Sequence, residues 1–160
     1  MKSLFILQLV CCVITAMLAL QLAMASLQVR WKVWRYEISR WILVASMLFF
    51  SVHYLLQMIH ALRAQGTDVG AAFNILFYTP VAFAITLSII NIESTGNKVR
   101  RYCLRGMMAY ILIAIVFVIG MFKSQSLHIG NMLYVMLGLF VARMAYFILI
   151  IRKETKARKQ

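Results

Sequence analysis

The chain of 160 residues is 64% hydrophobic, with a mean hydropathy of +0.87, and sets seventeen Lys and Arg against four Asp and Glu for a net charge of +13. Charged residues make up 13%, about half the quarter usual in a soluble domain, and the apolar residues come in blocks of about 20, enough to cross a ~30 Å hydrocarbon core. This composition argues against a soluble enzyme, and against direct nucleic-acid binding too, because the basic residues lie between apolar blocks, where membrane proteins carry them in cytoplasmic loops.

The first block, 4–27, holds an ambiguity. Ala23, Met24, Ala25 and Ser26 form a small-x-small pattern of the kind a signal peptidase cuts. The apolar run before it is longer than the 7–15 residues of an export signal, and Arg30, Lys32 and Arg35 follow closely. An uncut first span is therefore expected. Cys11 and Cys12 are adjacent and Cys103 is remote, so the cysteines outline no disulfide framework.

The second block, 41–62, carries Ser46, His53, Gln57 and His60. At ~100° per residue these share one face, which should look inward from an otherwise apolar helix. Trp31, Trp34, Tyr36 and Trp41 mark an interfacial belt at its start. The third block, 71–92, has Pro80 near its middle, a candidate hinge with Thr79 beside it to serve the freed carbonyl. The fourth and fifth run over 104–122 and 129–151. Arg143 is the one formal charge well inside a span. Backbone carbonyls, Asn91 or Glu93 are its expected partners, making it a clamp whose loss lowers bundle stability, or a switch. Ala19–Ala23 and Gly138–Ala142 permit close helix contacts and a homo-oligomer.

Orientation follows from the charges. Thirteen basic residues fall on the side of the 28–40 and 93–103 links and of the tail, against Lys2, Arg63 and Lys123 on the other. The positive-inside rule then puts the N-terminus outside and the C-terminus in the cytoplasm. The expected fold is an all-α membrane protein: a five-helix transmembrane bundle over 1–151, with a basic cytoplasmic tail over 152–160. In the tail, Glu154 and Arg158 stand at i,i+4, and anionic lipid is a natural surface for its charges.

At the outer level, His60, Arg63, Asn74, Tyr78, His128 and Asn131, with Asp68 and Tyr134, are the expected lining of a shallow ligand pocket with a histidine pair. His53, Gln57 and Arg143 are the polar residues at depth. Two histidines seven residues apart do not converge on one ion, so no metal or other cofactor is expected. Nucleotide-binding loops, zinc-protease helices and nucleophile elbows are absent, and no carboxylate stands at mid-depth to serve catalysis or proton coupling. Enzymatic activity is not expected.

The stretch HYLLQMIHALRAQGTDVGAAFNILFYTPVAFAI, about a fifth of the chain, resembles in texture the multi-span membrane input modules of bacterial signalling proteins, which precede a histidine-kinase or DNA-binding output. The resemblance implies a sensor in the bacterial inner membrane that relays an external or membrane signal to a cytoplasmic partner or output domain. The chain departs from that pattern by ending nine residues after the last apolar block. The competing expectations are a small-solute transporter or channel subunit and a non-catalytic membrane anchor or assembly subunit.

Overall fold

The structure is a computed structural model describing residues 2–25, 33–93 and 96–157, with side chains for 4–25, 34–62, 65–92, 98–153, 155 and 156. Trp31, the side chains of Arg63, Glu93 and Glu154, and Arg158 lie outside that description, and with them the proposed Arg143–Glu93 and Glu154–Arg158 pairs. The helices are α1 (Lys2–Met24), α2 (Val33–Ile59), the single turn α3 (Leu62–Gln65), α4 (Thr67–Glu93), α5 (Gly96–Ser124) and α6 (Met132–Ala157). Among the described residues there is no strand. Five helices contain apolar segments of 21 to 27 residues, long enough to cross a membrane. Without water to serve peptide groups, a helix is the form that satisfies them internally, and the chain is a multi-pass membrane protein.

The helices outrun the apolar blocks at their basic ends. α2 starts at Val33 instead of near Trp41, α5 at Gly96 instead of near Leu104, and α6 continues to Ala157. Each extension carries Arg or Lys, whose long side chains reach from a helix into the polar zone. In α2 the extension is braced by the Arg40–Glu37 ion pair at 2.6 Å, and Arg40 also donates to the Ala25 carbonyl at the end of α1.

The five spans do not close into a ring. Among the described residues α1 touches only α2, α2 touches α1, α3 and α4, and α4 alone reaches both α2 and the α5–α6 pair. The architecture is two helical hairpins joined through one central helix. Buried Ala72, Ile75, Ile113, Phe117, Ile129 and Met136 form the core of the α4–α5–α6 half. In the other half Ala19 is buried on α1, while Gly138 of α6 has open space where a Cβ would project. The Gly138–Ala142 spacing therefore serves no contact at Gly138 among the described residues.

Two turns close the end opposite the basic extensions. Ala61 between α2 and α3 is left-handed at φ 45°, ψ 37°, a conformation that costs an L-residue ~1–2 kcal/mol. Ala61→Gly should raise stability by ~0.5–1 kcal/mol, after allowing for glycine's larger entropy loss, seen as a higher Tm in detergent. An unchanged or lower Tm would show that this turn carries no such strain.

Candidate functional site

The polar face of α2 is occupied as its spacing predicts. Ser39, Ser46, His53 and Gln57 are all buried, and His60, at the helix end, is exposed. Ser46 turns back on its own helix, donating to the Ile42 carbonyl at 2.7 Å. His53 and Gln57 instead reach across to α1 and α4. The Gln57 amide nitrogen donates to Asn74 Oδ1 at 2.7 Å, and Gln8 of α1 donates to Gln57 Oε1 at 3.1 Å. His53 Nε2 lies 3.1 Å from Asn74 Oδ1 and 3.1 Å from Gln57 Nε2.

This last triangle contains a choice. One imidazole nitrogen faces an acceptor and a donor together, and it can serve only one at a time. With a proton on Nε2 it donates to Asn74 Oδ1, whose second lone pair accepts from the Gln57 amide. Without that proton it accepts from Gln57, and two acceptors then oppose each other across 3.1 Å. With Nε2 protonated all three groups keep a partner, whereas the other position gives up the His53–Asn74 bond, at a cost of about 1–3 kcal/mol. The proton position on His53 thus decides whether Nε2 donates to Asn74 or accepts from Gln57.

Aromatic rings fix the imidazole. Phe77 stacks on His53 at 4.5 Å between centroids, and Tyr78 meets it edge-on at 5.6 Å. Tyr78 also stands edge-on to Phe50 at 5.2 Å. On the helix end beyond His53, a cavity of about 370 Å³ is lined by His53, Leu56, His60, Phe73, Phe77 and Leu127, together with Leu62 and Gln65.

Of the six residues expected to line one pocket, the five with described side chains are distributed between two places. Asn74 and Tyr78 belong with His53, Asn74 by a hydrogen bond and Tyr78 by ring contact, while His60 lines the cavity just beyond. His128 is in a separate group. Its Nδ1 pairs with Asp68 Oδ2 at 2.8 Å, and it shares a second cavity, of about 220 Å³, with Asn131. Asp68 stands in the first turn of α4, where a carboxylate complements the helix dipole. The pair is partly solvated, 53% and 34% exposed, so it ties the α5–α6 loop to α4 weakly, by about 1 kcal/mol at most.

Toward the basic end, Ser39 and Ser88 donate to each other's carbonyls at 3.1 and 3.3 Å. Asn91 donates to the Arg35 carbonyl and to Ser39 Oγ, both at 3.0 Å. Asn91 therefore joins α4 to α2 and is not shown bonding Arg143. Arg143 is buried between Phe83 and Phe147, 5.7 and 4.5 Å from their centroids, and reaches the Arg105 carbonyl at 3.4 Å. Its Nε and Nη2 are buried with no hydrogen-bond partner among the described residues. Pro80 lies within an unbroken α4, and Thr79 donates to the Ile75 carbonyl at 2.6 Å.

Gln8, Ser39 and Ser88 were not anticipated from sequence. Ser39 was within reach, because it extends the seven-residue series Ser39, Ser46, His53 and His60 along α2. Gln8 carries no such signal. Among the described residues no three His, Cys, Asp or Glu side chains gather to hold a metal ion. Compared with protein-family models, curated proteins and solved structures, the chain finds no match.

Proposed function

We propose that this chain is the membrane input module of a signalling system, with the Gln8–His53–Gln57–Asn74 network as receiver and α4 as relay. The observation that carries the reading is the shared His53 nitrogen. A nitrogen that can donate to Asn74 or accept from Gln57 offers two arrangements for a signal to bias. Asn74 belongs to α4, the helix that alone touches both hairpins, and Asn91 on the same helix binds α2 again near the basic end.

In this reading the protein sits in a bacterial inner membrane, N-terminus outside and basic C-terminal end in the cytoplasm. There the extension of α6 meets a signalling partner or output domain. The first span is retained in this reading, and the bonds of Gln8 and Cys12 to Gln57 and Ser51 on α2 support it. A cytoplasm-dependent reporter fused after Gln160 is active on an uncut chain if this topology is right, and silent if it is inverted.

Two substitutions test the receiver. Gln57→Leu leaves His53 to donate to Asn74, whereas Asn74→Leu leaves it to accept from Gln57. Spin labels at Trp34→Cys and Thr155→Cys, with the native cysteines replaced, should report distance distributions displaced in opposite directions by the two variants. Identical distributions in both would end the relay reading.

A further inference from the structure

The geometry points to a binding site for a lipophilic ring compound of two-ring size bearing a hydrogen-bonding oxygen, in the cavity between His53 and the α2–α3 turn. This rests on the sensor reading for its consequence, though not for its chemistry. The cavity's 370 Å³ is within the usual range for small-molecule sites and about two and a half times the ~150 Å³ apolar cavity that takes up benzene. Its body is aliphatic and aromatic, from Leu56, Leu62, Phe73, Phe77 and Leu127.

A charged or many-hydroxyl ligand would lose its hydration against such walls without compensation. Three rings in the lining, Phe73, Phe77 and the imidazole stacked on Phe77, favour a flat partner over a single flexible chain. Hydrogen-bonding groups stand at the rim, where His60 is exposed and the Gln65 amide donates to the His60 carbonyl at 3.2 Å. The ligand's oxygen therefore belongs at His60, and its apolar rings point toward His53. Entry presses on the imidazole whose nitrogen is shared between Gln57 and Asn74, which couples occupancy to the receiver's two arrangements.

The test uses the full chain in nanodiscs with 1-naphthol, naphthalene and n-decanol as probes. Naphthol uptake should saturate at one per chain above the linear partitioning of empty discs. Leu127→Trp, a loop substitution that fills the cavity without altering a helix, should weaken binding at least tenfold. His60→Ala should weaken naphthol about three- to tenfold, the loss of one hydrogen bond, and leave naphthalene unchanged. Linear uptake equal to empty discs, indifference to Leu127→Trp, or tighter binding of decanol than of naphthol would each overturn the assignment. Saturable naphthol binding that leaves the spin-label distances fixed retains the site and removes its signalling role. Absent binding with oppositely displaced Gln57→Leu and Asn74→Leu distances removes the ligand and retains the receiver.

Discussion

Replacing Arg143 with methionine is expected to raise the stability of the bundle, by ~1–4 kcal/mol, and not to lower it. The guanidinium is buried, bonded among the described residues only to the Arg105 carbonyl at a long 3.4 Å, which leaves Nε and Nη2 without partners there. Each orphaned donor costs about 1–3 kcal/mol, on top of the several kcal/mol needed to desolvate the charge. The two phenyl faces return about 0.5–2 kcal/mol each. Methionine fills similar volume between Phe83 and Phe147 with a sulfur that suits aromatic neighbours and removes the desolvation cost. Thermal unfolding in one detergent for both proteins decides it. A lower Tm for Arg143→Met would restore the clamp expected from sequence and show that the charge holds α5 to α6 more strongly than its geometry indicates.

Gly106→Val should act in the opposite sense, with a loss of about 3 kcal/mol, at the upper end of the cost of overpacking. A Cβ on Gly106 would stand 2.0 Å from Phe83 Cε2 and 2.5 Å from its Cδ2. Any swing of the ring disturbs its neighbours, since Phe147 lies 6.4 Å from it between centroids and Arg143 lies over its face at 5.7 Å. The helices must separate, and α4 is the route from α5 to the rest of the molecule. Pairing Gly106→Val with Phe83→Ala should recover part of the loss, which distinguishes local crowding from a general dislike of valine in α5. No recovery would place the damage elsewhere.

Both positions show where sequence reading stops. The five spans were legible because each apolar run declares itself without knowledge of its neighbours. The inward face of α2 was legible too, since Ser46, His53 and Gln57 repeat with the helix and no membrane-facing surface would hold them. Periodicity, however, fixes a face and not the register between two helices. Asn74 seemed to belong to an outer pocket with His128, yet its height on α4 brings it level with Gln57. Asn91 was a reasonable partner for Arg143 by depth, and it lies on the side of α4 that meets Ser39. Gly106 resembles any small residue in a membrane helix until Phe83 is seen against it. The ends of α2, α5 and α6 were drawn short because hydropathy falls at the first arginines while the backbone continues to hydrogen-bond as a helix.

The linear order of helix contacts also has a consequence for how the chain is made. α2 meets α1, α4 meets α2, and α5 and α6 meet α4, so every helix after the first enters a bilayer where a neighbour is already waiting. Delivery from the ribosome and docking in the membrane follow the same sequence, and no early helix must be held open for a late one. Gln8, His53, Gln57 and Asn74 have all emerged before α5 begins. The network that joins α1, α2 and α4 can therefore assemble while α5 and α6 are still being synthesised.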